Sequence, residues 1–144
     1  MSRLVIALAL VALAVVAAAL LRRRRPEPPT QATWDVPGQL DRADFDRPRA
    51  PWLLAVFTSE TCGSCEEALA KTAPLAGPDV AFQEISYQRR RDLHDRYHIE
   101  AVPMILLADE QGVVRADFVG APPAGELWAA VSEARRPPSP DRPR

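Results

Sequence analysis

The chain has 144 residues, with 18 Lys or Arg against 19 Asp or Glu and a formal net charge of −1. Beyond the N-terminal segment the two signs are interspersed, and no basic face suited to a phosphate backbone is visible, which sets nucleic acid aside as a partner. The 2 cysteines, Cys62 and Cys65, are too few and too close to staple a fold, so they form a local pair for redox chemistry or for a metal.

In chain order, Leu4 opens and Leu21 closes an uninterrupted apolar run of 18 residues. At the helical rise this is roughly 27 Å, enough to span a hydrocarbon core. Ala17-Ala18-Ala19 also offers a signal-peptide cleavage site, but Arg22-Arg23-Arg24-Arg25 follow almost at once and would resist translocation. Residues 1–25 therefore read as an uncleaved transmembrane anchor with a basic flank, and the lipid bilayer is a partner. Arg3 and the amino terminus precede the span while four arginines follow it, so the charge bias places the C-terminal part on the cytoplasmic face of the cell membrane. The extracytoplasmic face is the alternative. Residues 26–38, with Pro26, Pro28, Pro29 and Pro37, form a Pro-rich linker. Trp34 lies within it and is read as able to dock on the folded part, at a place the sequence does not define.

Residues 39–136 are the foldable part. A short element is expected around residues 39–45. The apolar run 52–57 predicts a strand buried on both faces, and a helix is predicted from Cys62 to Ala73, ended by Pro74, Gly77 and Pro78. A second strand is predicted over 80–87, and a short exposed helix over 89–97 with Leu93 and Tyr97 on its inner face. Residues 104–108 predict a third strand, Asp109-Glu110-Gln111-Gly112 a hairpin turn, and 113–119 the returning strand. After Gly120 to Pro123 a last helix is predicted over 124–135, with Leu127, Val131 and Ala134 on one stripe. The order β-α-β-α-β-β-α predicts an α/β fold, a mixed central sheet with helices on both faces. Residues 137–144, half of them proline, are expected to be a disordered tail.

Cys62-Gly63-Ser64-Cys65 follows a predicted buried strand and opens a predicted helix. Free amides and the dipole at a helix N-terminus stabilise an anion, so Cys62 is the expected nucleophile and Cys65, one turn further in, the resolving thiol; Gly63 and Ser64 supply the helix N-terminus. Glu60, Glu66 and Glu67 crowd the pair with negative charge, which opposes the helix effect and favours basic partners. His94 and His98, four apart on a predicted helix, are read as a solvated face, because a two-ligand metal site lacks further donors at matching spacing. Trp52 and Phe57 are assigned to the core, and Trp128 is expected to be partly buried.

The strand, the C-G-S-C segment, and the later run Arg96-Tyr97-His98-Ile99-Glu100-Ala101-Val102-Pro103-Met104-Ile105-Leu106-Leu107, followed by a hairpin, Gly120 and a terminal helix, resemble the thioredoxin family over about residues 39–136. The resemblance implies a thioredoxin-like fold and thiol-disulfide oxidoreductase activity on disulfide-containing or dithiol protein partners. A separate electron donor or acceptor is implied, and no cofactor. It further implies that Val102-Pro103 is a cis peptide bond, the type of bond for which cis is accessible, and that Val102 and Pro103 bind the substrate segment. The chain departs from the family pattern at Thr61, where tryptophan is frequent, at Ser64, where proline is common, and at Val56, where a buried acid is usual. Glu84, which interrupts an apolar strand, is a candidate proton shuttle in place of that acid, and a solvent-facing Glu84 is the competing reading. The rival function is a module that holds Cu(I) or Zn²⁺ on the same cysteine pair, with Met104 as the nearest further ligand.

Overall fold

The computed structural model describes residues 34–136; the expected anchor, most of the linker and the tail lie outside the described residues. Among the described residues no helix is long and apolar enough to cross a membrane.

Strand β1, Trp52–Thr58, is the centre of the fold. Its sequence is apolar and rich in residues that fit a pleated surface, and Leu53 through Phe57 have no exposed surface. Such a strand must be covered on both faces and paired on both edges. It pairs in parallel with β2, Val80–Ser86, from Trp52↔Val80 to Thr58↔Ser86. On its other edge it pairs antiparallel with β3, Met104–Ala108, from Leu53↔Ala108 to Phe57↔Met104. Strand β4, Val114–Val119, completes the sheet in the order β2-β1-β3-β4.

Helix α1, Cys65–Thr72, carries the chain from β1 to β2, the crossover that a parallel pair requires. Its buried Ala68 joins Leu54, Val56, Val80, Ile105 and Leu107, together with Leu127 and Val131 of α3, Ala124–Ala134. The opposite face carries Leu53, Ala55, Phe57, Ile85 and Met104. It is covered by Leu40 and Phe45 from the N-terminal segment and by Leu93 and Tyr97 from the region of α2, Arg91–Arg96. Burying a side chain such as Leu127, 1% exposed, contributes about 1.5–3 kcal/mol.

Several boundaries differ from the sequence expectation for local reasons. Helix α1 begins at Cys65, because the Cys62 N–H is spent on the Ser59 carbonyl at 3.0 Å and the Cys65 N–H on the Cys62 carbonyl at 3.4 Å, a turn ahead of the helix. It passes into a 3-10 turn, Ala73–Leu75, where Pro74 supplies no N–H. Helix α2 is shorter than expected, since the Arg89 and Arg90 N–H groups both go to the Ser86 carbonyl and His98 is left-handed at φ 51°. Trp128 is 52% exposed where partial burial was expected; Leu127 and Val131 take the buried stripe of α3, and Trp128 is rotated off it by one residue. Trp34 is 44% exposed.

At the end of the sheet away from the cysteines, the β3–β4 hairpin is tied to the N-terminal segment. Leu40 N–H donates to the Gly112 carbonyl at 2.8 Å, and Gly112 stands at φ 82°. Asp109 accepts from the Gln111 and Val113 N–H groups, both at 3.0 Å, and from Arg115 Nε at 2.7 Å. Burial works to raise the Asp109 carboxyl, but the Arg115 guanidinium and the two amides outweigh it and hold it below the usual carboxylate range. Arg42, 7% exposed, lies in the 3-10 turn Arg42–Asp44 and donates to the Asp109 carbonyl at 2.7 Å and the Ala50 carbonyl at 2.9 Å. A Cβ on residue 112 would overlap the Leu40 carbonyl oxygen. Gly112→Ala is therefore expected to lower stability by about 1–3 kcal/mol in urea denaturation. Gly125→Ala, on the exposed side of α3 with open space around it, should leave stability unchanged or slightly higher.

Candidate active site

The parallel strands β1 and β2 end together, so the loops that follow them meet at one edge of the sheet, the place where α/β folds put their sites. The cysteine pair leaves β1 there. Cys62 and Cys65 are joined in a disulfide with Cα atoms 5.5 Å apart. Cys62 is half-buried, and Cys65, the first residue of α1, is 4% exposed because it points with Ala68 toward the sheet. Gly63 and Ser64 are exposed, Ser64 at the N-cap position with its Oγ 3.9 Å from Cys62 Sγ.

The loop before the pair is fastened from β2. Gln88 Oε1 accepts from the Glu60 N–H at 3.0 Å and Gln88 Nε2 donates to Ser59 Oγ at 3.1 Å, while the Tyr87 N–H donates to the Thr58 carbonyl at 2.9 Å. Gln88 was not singled out from the sequence. Its place just after a strand parallel to the cysteine-bearing one is the signal that could have found it. Glu60, Glu66 and Glu67 are all exposed around the pair, and Glu67 is bridged to Lys71 at 2.6 Å.

From the other side, β3 brings the Val102-Pro103 bond, which is cis. Phe57 is level with Met104, so Pro103 stands level with Thr58, the last residue of β1 before the cysteine loop. Pro103 is buried and its carbonyl accepts from the Gly120 N–H at 2.8 Å. Val102 is half-exposed, and its backbone N–H and C=O have no hydrogen-bond partner among the described residues. Tyr87 and Val119, 38% and 41% exposed, add apolar surface at this edge.

Glu84 is half-buried. Its Oε1 accepts from Thr58 Oγ1 at 2.8 Å and its Oε2 pairs with Arg89 at 3.0 Å, so it does not face solvent freely. The histidines are separated by the fold. His94, expected on a solvated face, is 3% exposed: Nε2–H donates to the Ile85 carbonyl at 2.9 Å and the ring meets Phe57 and Tyr87 edge-on. The correction follows from α2 packing this side against the sheet, where an imidazole is buried once its N–H has a carbonyl to bond. His98 is exposed beyond the helix end. Among the described residues no group of three or more His, Cys, Asp or Glu could hold a metal ion.

No family model matches the sequence. A Streptomyces coelicolor protein assigned as thioredoxin 2 is 26% identical over 102 residues, covering 68% of this chain and 75% of that one. Among solved structures, a thioredoxin variant from Halobacterium salinarum is 22% identical with a TM-score of 0.55, covering 62% of this chain and 79% of that one. Spinach chloroplast thioredoxin f is 20% identical with a TM-score of 0.54, covering 71% and 98%. The structural likenesses carry the fold. Together with the match to the assigned thioredoxin, the cysteine pair that follows β1 and the cis proline that precedes β3 point to a thioredoxin-like disulfide oxidoreductase. The chain is thus similar to thioredoxins in sequence as well as in fold.

The unequal burial of the two sulfurs predicts unequal reactivity after reduction. Iodoacetamide is expected to modify Cys62 at least about tenfold faster than Cys65, read by mass spectrometry of the separated peptides, since access limits thiol reactivity. Equal rates would show that both sulfurs are open to reagents.

Proposed function

We propose that this chain is a membrane-tethered thiol-disulfide oxidoreductase that exchanges its Cys62–Cys65 dithiol and disulfide with protein substrates. The observation that carries the reading is the half-buried Cys62 at the same end of the sheet as the unpartnered backbone of Val102. An extended substrate segment can pair with that N–H and C=O as an added strand, which positions its disulfide against the cysteine loop. In the reducing direction the Cys62 thiolate attacks a substrate sulfur; the substrate disulfide breaks, one substrate thiol leaves, and a mixed disulfide forms. Cys65 then attacks the Cys62 sulfur, the second substrate thiol leaves, and the protein holds the Cys62–Cys65 disulfide, as in the structure. A separate dithiol donor resets the pair by the reverse exchange. Exposed Glu60 and Glu66 support a preference for basic polypeptides, an attraction that added salt weakens.

The full chain is expected to reduce insulin disulfides in the presence of a dithiol donor, and Cys62→Ser to abolish turnover. A wild-type chain that retains a soft metal in stoichiometric amount and shows no turnover would support the metal-binding alternative instead.

The tether in this proposal is the apolar run from Leu4 to Leu21, and the arginines after it favour the cytoplasmic face. In that compartment the reducing direction follows from the glutathione poise. The expected result is that a membrane-impermeant thiol reagent labels Cys62 only after cells are opened. Labelling of intact cells would place the domain outside and reverse the direction of electron flow.

A further inference from the structure

The exchange proposed above needs Cys65 to become an anion while 4% exposed, and forming a sulfur anion there carries a desolvation cost. A proton acceptor on the sheet face beneath the first turn of α1 would serve that step. Strands β1, β2 and β3 together carry one titratable side chain, Glu84.

Its placement follows from the register. Val56 and Glu84 are partners in a parallel pair, so their side chains share a face, and that face is the one where Val56 packs with Ala68 of α1. Thr58, two residues beyond Val56, lies on the same face. Helix α1 returns over the β1–β2 pair, so Cys65, one turn ahead of Ala68, is set toward the Thr58 end of β1. The carboxylate is fixed there: Thr58, itself 2% exposed, donates to Oε1 at 2.8 Å, and Arg89 holds Oε2 at 3.0 Å. Arg89 is the charged group that faces it. Strand β1 contributes only the Thr58 hydroxyl, and the charged residues of α1 are directed elsewhere: Glu66 and Glu67 are exposed, and Lys71 is bound to Glu67 and the Pro122 carbonyl.

We propose that Glu84 is the proton acceptor for Cys65 and that Thr58 is its positioning residue. Resting on the exchange reading, the step balances as follows. The Cys65 thiol gives its proton to the Glu84 carboxylate, and the resulting thiolate attacks the Cys62 sulfur of the mixed disulfide. The Cys62–Cys65 bond forms, the bond to the substrate sulfur breaks, and the departing substrate thiolate carries away the electron pair and takes a proton from Glu84 or water.

Dithiobis(nitrobenzoate) separates this step from the first attack. Added in equimolar amount to the reduced full chain, it releases one coloured thiolate when Cys62 attacks and a second when Cys65 resolves. Glu84→Gln is expected to leave the first release within about twofold and to slow the second by about tenfold or more, the lower range of general-base contributions. The second release should then climb with hydroxide from about pH 6 to about pH 8, where the wild type is flatter. Glu84→Asp should recover part of the rate, and Thr58→Val should slow the second release in the same direction. A second release unchanged in both Glu84→Gln and Thr58→Val, or both releases slowed alike, would overturn the assignment, the latter marking a structural role. Loss of the first release in the wild-type chain would instead overturn the exchange reading itself.

Discussion

The organisation of this domain rests on the burial of β1 on both faces and its pairing on both edges. A strand with no exposed surface from Leu53 to Phe57 cannot exist without β2 and β3 to satisfy its backbone and a layer of helix on each side. The parallel partner forces a crossover, and the crossover is α1. The cysteine pair therefore occupies the junction between a fully buried strand and the helix that strand requires. A redox centre in that position inherits its geometry from the core.

The same arrangement explains the asymmetry of the two sulfurs. Cys62 belongs to a turn whose N–H groups bond back to Ser59, and it stays at the surface; Cys65 is the first residue of the helix and shares its inward face with Ala68 and Thr72. Cys62 is half-buried and Cys65 enclosed, and the two are bonded to each other. On the opposite side of the site, Val102 presents backbone groups that the sheet leaves unpaired, because β3 begins only at Met104. The cysteine loop and the unpaired Val102 backbone thus come from different strands, held together by the Phe57–Met104 register.

The far end of the sheet is fastened by other means. Arg42, Asp109 and Gly112 lock the β3–β4 hairpin to the N-terminal segment through backbone carbonyls, an ion pair and a left-handed glycine. These contacts bury Arg42 and Asp109 at that end, whereas the cysteine end carries the exposed Tyr87, Val119, Glu60, Glu66 and Glu67.

Local patterning was enough to read most of the elements. The apolar runs at β1 and β3, the turn chemistry of Asp109 to Gly112 and the Leu127–Val131 stripe each announce their structure within a few residues, and the two motifs carrying the family resemblance are contiguous in the chain. Other features depend on residues that meet only after the sheet is assembled. The burial of His94 against Phe57, the tie from Gln88 to the Ser59–Glu60 loop, the hold of Thr58 on Glu84 and the insertion of Arg42 beneath the hairpin all join segments far apart in sequence. What the sequence by itself determined was the type and order of elements, because hydrophobic periodicity and turn residues act over a few positions. Which polar side chains became buried and bonded was decided by tertiary structure, because a buried donor is stable only where the fold supplies its acceptor.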